Sequence, residues 1–253
     1  MNSAGRPSRG SDRLRVVHLY PDLLSVYGDA GNVRTIVVRA ERRGIEVELS
    51  VVRAGDSAVP PADVLLIGGG QDREQLTVAR ELERLGPAIR ERIAEGAALL
   101  AVCGGYQNLG WSYRTAAGTT IAGPGILDIR TEAGRSRLVG SVVASLTDLP
   151  NGTPPRPTLI GFENHGGRTY LGDEAKPLGK VVKGFGNNGR DGLEGVRRDN
   201  LIGTYLHGPL LPKNAWFADW LIRAALGFEN PLSELDDRLE HAAHADARRA
   251  AGV

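Results

Sequence analysis

The only cysteine of the chain, Cys103, lies where an apolar segment meets a pair of glycines. Residues 98–102 (ALLAV) precede it, and Gly104 and Gly105 follow it. This pattern is typical of a nucleophile elbow, in which a strand delivers a reactive side chain into a tight turn that opens a helix. A helix N-terminus beside the sulfur would favour the thiolate over the thiol. The alternative is an unreactive cysteine buried at a strand end, which is common for free cysteines.

A second glycine-rich turn, Gly68-Gly69-Gly70-Gln71-Asp72, follows the apolar residues 64–67 (VLLI). If both apolar runs are parallel strands, the two turns lie at the same edge of the sheet. Backbone N–H groups of Gly69 or Gly70, together with Gly104, would then form an oxyanion hole, which stabilises negative charge on a reacting carbonyl oxygen. A glycine triplet by itself is more often an ordinary turn.

A thiolate nucleophile needs a base that accepts its proton, and the chain offers five histidines. His241 and His244 fall in a polar C-terminal segment, and His18 lies inside an apolar segment where a packing role is expected. His165 and His207 each adjoin glycine at the end of an apolar run, so we expect both at strand ends. Spacing alone does not choose between them.

Apolar patterns also predict the elements that must position these residues. The predicted strands are residues 14–20, 46–52, 64–67 and 98–102, and the predicted helices are residues 31–43 and 74–95, the second broken near Gly86 and Pro87. The alternation of strand and helix predicts an α/β fold with a mostly parallel, doubly wound central sheet.

The second half of the chain is less regular. Its predicted strands are residues 138–143, 159–163, 181–183, 192–197 and 201–205, and a helix is predicted over residues 215–226. Asp199-Asn200 resembles a hairpin turn, so some of these strands are expected to be antiparallel. We expect a flexible segment over residues 1–13, one domain over residues 14–229 and a polar tail, frayed helix or disordered, over residues 230–253.

Composition narrows the function classes. The chain has 253 residues, of which 41% are hydrophobic and 24% charged, values ordinary for a globular protein. A net charge of +1 gives no electrostatic case for nucleic acid or an anionic membrane, so a small-molecule or protein partner is expected. A single cysteine excludes an internal disulfide and an all-cysteine metal site, and no metal site is predicted. No segment is typical of a signal peptide or a membrane span, so we expect a cytoplasmic protein.

Four motifs occur in an order that is far more specific than any one of them: Gly-Gly-Gly-Gln-Asp from residue 68, Cys-Gly-Gly-Tyr-Gln from 103, Gly-Phe-Glu-Asn-His-Gly-Gly from 161 and Tyr-Leu-His-Gly-Pro from 205. Together they resemble the class I glutamine amidotransferases of the cobyric acid synthase (CobB/CobQ) type. The likeness covers about residues 14–228. It implies a three-layer, flavodoxin-like α/β domain in which Cys103 is the nucleophile and His207 the base.

The resemblance also implies residues that hold the substrate. Gln107 and an arginine of the Arg135-Ser136-Arg137 segment, Arg137 by preference, are expected to bind glutamine, and His165 to line the pocket. Arginine suits the substrate carboxylate because its planar guanidinium donates two parallel hydrogen bonds. Many class I enzymes have a glutamate two residues after the histidine, whereas this chain has Pro209. The cobyric acid synthase type also lacks that acid, so Glu163 or an acidic residue of a partner remains the candidate third group.

Within that class the chain most resembles the glutaminase subunits of lipid II isoglutaminyl synthases. The resemblance implies that it hydrolyses L-glutamine through a Cys103 thioester and passes ammonia to a MurT-type ligase, which amidates the D-glutamate of the lipid II stem peptide to D-isoglutamine. The chain has no Gly-x-x-x-x-Gly-Lys-Ser/Thr loop. No cofactor is therefore expected in it, and ATP and magnesium are expected on the ligase.

Three alternatives stay open. The chain could be a glutaminase for another acceptor, such as a cobyrinic-acid-type substrate. It could be a cysteine peptidase or deglycase on the same type of sheet, active on peptides or glycated amines rather than free glutamine. It could also be a non-catalytic regulator of its ligase, although the presence of both Cys103 and His207 argues against that.

Overall fold

A computed structural model of the chain describes residues 13–25, 28–70, 72–146, 158–227 and 231–253. Its strands are β1 (Arg13–Leu19), β2 (Glu46–Val52), β3 (Val64–Ile67), β4 (Ala98–Val102), β5 (Ser112–Arg114), β6 (Thr120–Ala122), β7 (Ile129–Leu146), β8 (Thr158–Leu171), β9 (Gly179–Lys183), β10 (Leu193–Glu194), β11 (Val196–Arg198) and β12 (Leu201–Thr204). Its helices are α1 (Ala30–Glu41), α2 (Asp72–Ala94), α3 (Gly104–Asn108), α4 (Leu210–Lys213), α5 (Ala215–Leu226) and α6 (Arg238–Ala251). Residues 1–12, most of the expected flexible segment, lie outside the described residues.

The central sheet has the strand order β11-β12-β4-β3-β1-β2. Adjacent strands of this sheet are parallel except β11, which is antiparallel to β12 and is joined to it by the turn at Asp199. The predicted mostly parallel α/β sheet and the predicted hairpin turn are therefore confirmed. Every residue of β3, β4 and β12 is buried, because helices or the second sheet cover both faces. The registers of β3, β4 and β12 bring their carboxyl ends to one edge, so the three following loops meet.

The prediction of a break in the second helix was wrong, because α2 continues through Pro87. Proline removes one intrahelical hydrogen bond, which usually ends or kinks a helix. Here Leu82, Leu85 and Ile89 form a buried seam on both sides of the proline. Pro87 itself is exposed, so water can solvate the carbonyl that lost its donor. The apolar seam holds both halves of the helix against the sheet.

A second sheet, with the order β10-β9-β7-β5-β6 and with β8 paired to β7, adjoins the site edge of the central sheet. Strands β7 and β8 are far longer than the apolar runs that predicted them, and β7 is irregular between Ala133 and Leu138. The expectation that His165 ends a strand was wrong, because β8 continues past it to Leu171. A bridge between Phe162 of β8 and His207 joins the two sheets.

Most of the expected polar tail is ordered as α6. Ala251 of this helix packs against Val143 and Ile160 on the second sheet. The His244 ring contacts the Lys213 carbonyl at 2.9 Å and the Thr158 hydroxyl at 3.3 Å. Ala251 is the one buried residue of this helix, whereas its Leu239 is 82% exposed. No helix in the described ranges is both long and apolar enough to cross a membrane.

A buried arginine ties α1 to the C-terminal segment. Arg39 of α1, whose side chain is 4% exposed, forms two hydrogen bonds each with the carboxylates of Asp219 and Asp237. Asp219 lies on α5 and also binds Arg43, and Asp237 immediately precedes α6. Bidentate arginine–carboxylate pairs are strong and directional. Arg39 therefore fixes where the chain enters its last helix.

We expect Arg39→Met to lower the free energy of unfolding by about 3 kcal/mol. It keeps most of the side-chain volume but leaves the partly buried carboxylate of Asp237 without its bidentate partner and that of Asp219 with Arg43 alone. Urea unfolding followed by circular dichroism measures the change. The control is Arg13→Met, since Arg13 forms an exposed pair with Glu48 worth less than about 1 kcal/mol. Equal effects of the two substitutions would show that Arg39 does not organise the fold.

Candidate active site

Cys103 adopts a strained backbone conformation directly after β4. Its φ is 49° and its ψ −105°, and among the described residues only two other non-glycine residues have positive φ, Tyr20 and Asp199. Such strain is characteristic of a nucleophile elbow, where the turn forces the side chain outward. The following helix α3 has only five residues, so its dipole contribution is confined to the nearest N–H groups.

The loop after β3 lies directly beside the elbow. The N–H of Gly105 donates to the Gly68 carbonyl at 3.0 Å, which joins the two glycine-rich turns. A Cβ added at Gly69 would lie 2.9 Å from Cε1 of His207 and 3.0 Å from Cβ of Cys103. Only glycine fits this position, because Cys103 and His207 both border it. The structure thus brings together the cysteine, one histidine and the glycine loop that the sequence had singled out.

His207 follows β12 and is held by its backbone. Its N–H donates to the Phe162 carbonyl at 2.9 Å, and the Phe162 N–H donates back at 3.1 Å. The side chain is buried. Burial, with smaller contributions from His165 and Arg137, lowers the pKa of His207 to about 3. The imidazole is therefore neutral at neutral pH, the form that can accept a proton from a thiol.

His165 belongs to a buried cluster next to the site. Its Nε2 lies 3.5 Å from the Glu163 carboxylate, and its ring stacks on Tyr205 with 3.5 Å between centroids. Glu163 also accepts hydrogen bonds from the N–H groups of Phe185 and Gly186, at 2.7 and 3.0 Å. Glu163 is thus engaged by His165 and by the loop after β9. This arrangement fits a structural role for the pair beneath the pocket.

A network of buried hydroxyl, amide and carboxyl groups supports the floor of the site. Gln107 donates to the Tyr205 hydroxyl at 2.9 Å, and that hydroxyl lies 2.6 Å from the Thr169 hydroxyl. Glu194 accepts from the Thr204 hydroxyl at 2.6 Å and the Tyr205 N–H at 2.9 Å. Burial raises the pKa of Glu194 to about 7 against the lowering effect of these bonds. The hydrogen bonds to Glu194 thereby fix Thr204 and Tyr205, at the end of β12, against the second sheet.

The two candidate arginines line a cleft of about 580 Å³ formed by the irregular part of β7 with β5, β6 and Gly166. Arg137 donates to the side-chain and backbone oxygens of Asn164, at 2.7 and 2.6 Å. Its charge also contributes to the lowered pKa of His207. Arg135 shares the cleft. Arg137 is therefore the better placed of the two to meet an anionic substrate group.

Sequence reasoning missed one buried acid at the site. The Asp29 carboxylate accepts a hydrogen bond from the Gly69 N–H at 2.7 Å. The only sequence signal was a turn-like Gly-Asp-Ala-Gly stretch from residue 28, and the contact spans 40 positions.

Within the described ranges, no group of three or more histidine, cysteine, aspartate or glutamate side chains is arranged to hold a metal ion.

Sequence comparisons agree with this geometry. Residues 15–215 match the model of the CobB/CobQ-like glutamine amidotransferase domain. The chain is 39% identical to the Staphylococcus aureus lipid II isoglutaminyl synthase (glutamine-hydrolyzing) subunit GatD, over 90% of this chain and 91% of that protein. It is 38% identical to the Streptococcus pneumoniae protein of the same name, over 85% of this chain and 81% of that protein. A probable cobyric acid synthase of Methanothermobacter thermautotrophicus is 30% identical over 76% of this chain but only 39% of that protein.

Solved structures share the fold at low sequence identity. A glutamine amidotransferase aligns with a TM-score of 0.55 and 18% identity, covering 83% of this chain and 98% of that one. The structure of PurLQS from Thermotoga maritima aligns with a TM-score of 0.56 and 17% identity, covering 86% and 96%. These matches support the class I amidotransferase fold. On the family match and the two extended relatives, the chain belongs to the CobB/CobQ-like glutamine amidotransferase family and is a glutamine amidotransferase.

Proposed function

We propose that the chain hydrolyses L-glutamine through a thioester on Cys103, with His207 as the base. The observation that carries this proposal is that both side chains border Gly69, at the ends of two adjacent strands. Cys103 also has the strained conformation of an elbow nucleophile. A peptidase or deglycase would use a similar cysteine and histidine. Neither the two GatD subunits nor the cobyric acid synthase is named as such an enzyme.

In the proposed mechanism the neutral His207 accepts the proton of Cys103, and the thiolate attacks the side-chain amide carbon of glutamine. The new C–S bond converts the carbonyl into an oxyanion. When the oxyanion collapses, the C–N bond breaks and His207 returns its proton to the departing ammonia. Water, deprotonated by His207, then attacks the thioester and releases glutamate and the thiol. The thiolate's charge would favour the imidazolium that burial otherwise disfavours.

The oxyanion needs donors that are in place before the charge develops. The Gly69 N–H already donates to Asp29, so we assign the donating role to Gly70 and Gly104. Glycine at these positions lets the backbone approach the substrate closely. Gly69 has no side chain, which leaves room for the side chains of Cys103 and His207 beside it.

We base substrate recognition on a charged side chain of the cleft beside Gly166, whose lining does not include Cys103 or His207. We assign the glutamine α-carboxylate to Arg137, whose guanidinium borders the cleft and is held by Asn164. Because its amide nitrogen donates to Tyr205, Gln107 is assigned to shaping the pocket floor beside the substrate. His165, stacked on the same tyrosine, is assigned to lining the pocket at its floor rather than to proton transfer.

For the acceptor, we propose that the ammonia passes to a separate MurT-type ligase that amidates the D-glutamate of lipid II. The two relatives named as GatD subunits match over most of their own length, whereas the cobyric acid synthase extends well beyond the match. That difference favours a subunit that serves a separate ligase. ATP and magnesium would be held by the ligase, and both subunits would work in the cytoplasm.

The proposed docking face for the ligase is the part of the β7–β8 face around Phe162 and Val139. Helix α6 covers the same face farther along, at Val143 and Ile160. Phe162 is 40% exposed there although its backbone pairs with His207, and Val139 is 49% exposed. Val139 is paired with Asn164, two residues after Phe162, so both side chains lie on one face. A partner covering this face would shelter ammonia from protonation in water.

Cys103→Ala should abolish glutamine hydrolysis while leaving the fold intact, because it removes the only thiol in the chain. A coupled glutamate assay measures the activity, and circular dichroism checks the fold. Diazo-oxonorleucine, an electrophilic glutamine analogue, should add one label, at Cys103, by mass spectrometry. Undiminished hydrolysis by the folded variant would rule out the thioester.

His207→Ala should lower kcat by about 100- to 10,000-fold, the usual effect of losing a general base. The control is His165→Ala, which removes an equally buried imidazole next to the same site. Its expected effect is on KM or on coupling to the partner, because His165 packs against the pocket floor. A dead His165 variant beside a nearly normal His207 variant would reverse the two assignments.

The chain and its ligase together should amidate lipid II with glutamine and Mg-ATP, whereas neither should do so alone. Glutaminase activity is expected to rise when the partner binds. Phe162→Glu should abolish co-purification, while Leu49→Glu, at the far edge of the central sheet and 50% exposed, should not. Amidation by this chain alone, or none from the reconstituted pair, would contradict the assigned acceptor. Retention of the partner by the Phe162 variant would contradict the docking face.

A further inference from the structure

One peptide group of the glycine loop is held at both of its polar ends. The Gly68 carbonyl accepts from the Gly105 N–H at 3.0 Å, and the N–H of the same peptide, on Gly69, donates to Asp29 at 2.7 Å. Rotating this peptide would break two hydrogen bonds, one of them to a buried carboxylate. The peptide therefore has a fixed orientation beside Cys103.

Asp29 is placed where an aspartate usually serves its own helix. It is the N-cap residue of α1, a position at which the side chain normally accepts from the first-turn N–H groups. Asp29 makes no such capping hydrogen bond. Its side chain reaches instead to the loop after β3 and is almost fully buried, at 2% exposure. Burying a carboxylate is costly, and two hydrogen bonds compensate for it: a short one from the Gly69 N–H and a longer one, at 3.5 Å, from the Asn32 side-chain amide.

The first turn of α1 also contacts the loop that carries His207. The side-chain oxygen of Asn32 accepts from the Leu211 N–H at 2.8 Å. Gly31 packs against Pro209, and a Cβ on it would lie 2.6 Å from the proline ring. The N-terminal turn of α1 thus holds both loops that border Cys103, one through Asp29 and the other through Asn32 and Gly31.

We propose that Asp29 is a positioning residue for the hydrolysis: by fixing the Gly68–Gly69 peptide, its carboxylate orients the Gly69–Gly70 segment as half of the oxyanion hole. The inference rests on the function proposed above. Oxyanion donors are effective only when they are held in place before the reaction. Asp29 acts through Gly69 and does not touch the reacting atoms.

The test compares Asp29→Ala and Asp29→Asn in the full chain, or in its complex with the ligase if only the complex hydrolyses glutamine. Burial raises the pKa of Asp29 to about 6, so assays at pH 8 keep the wild-type carboxylate ionised. We expect Asp29→Ala to lower kcat by about 10- to 100-fold with little change in KM, less than the loss of a whole oxyanion donor. Asp29→Asn, whose amide oxygen can still accept from Gly69, should lie closer to wild type than to the alanine variant.

Iodoacetamide distinguishes the oxyanion loop from the nucleophile, because alkylation of Cys103 needs the thiolate but no oxyanion hole. Asp29→Ala should be alkylated at the wild-type rate while hydrolysing glutamine slowly. The matched control is Asp63→Ala, since the Asp63 carboxylate accepts a backbone N–H from Arg15 at 2.9 Å at the opposite end of β3. It should lower thermal stability without lowering kcat.

If Asp29→Ala does not fold, Asp29→Ser replaces it, because serine is a good N-cap but its oxygen is too short to reach Gly69. An unchanged kcat in the folded variant, an effect confined to KM, or an asparagine variant no better than alanine would overturn the positioning role. Failure of the underlying function would look different. In that case the wild-type chain or complex would hydrolyse no glutamine, or alkylation of Cys103 would leave the activity intact.

Discussion

The strained backbone of Cys103 is the constraint on which the rest of the site depends. A non-glycine residue at positive φ costs on the order of 1 kcal/mol or more and persists only if its surroundings fix it. Here the Cys103 N–H donates to the backbone carbonyl of Thr204 in β12 at 2.8 Å, and the Cys103 carbonyl accepts from the backbone N–H of Gln107 at 2.9 Å. The adjacent strand and the short helix hold the turn from both sides. Cys103 is consequently anchored to the strand that leads to His207.

The second sheet holds the end of β12 and the loop that carries His207 in the position that this anchoring requires. The end of β12 is supported from below by Glu194 and from the side by Phe162, both contributed by the second sheet. Buried polar groups that bind each other make their surroundings rigid, so the network specifies one arrangement of the strand end. The central sheet therefore supplies the reactive positions, and the second sheet fixes the histidine-bearing loop.

Much of this arrangement was predictable because the decisive signals are local. Residues 64–67 and 98–102 are short apolar runs closed by glycine, and both strands have the predicted bounds. The signal failed where tertiary packing overrides local preference. Pro87 stays inside a helix because an apolar seam continues past it, and His165 lies in mid-strand because a long partner strand extends the pairing. Asp29 could not be found, since its partner is distant in sequence and its local pattern indicates only a turn.

The chain has a single thiol, which limits how oxidation of Cys103 can be reversed. A sulfenic acid formed on a cysteine is commonly rescued when a second thiol condenses with it, and this chain has no other cysteine to do so. Further oxidation to the sulfinic acid is in general irreversible. At 4% exposure, Cys103 is shielded from peroxide mainly by its burial. Any motion that admits glutamine also admits oxidant, so Cys103 is most open to oxidation while the site is open.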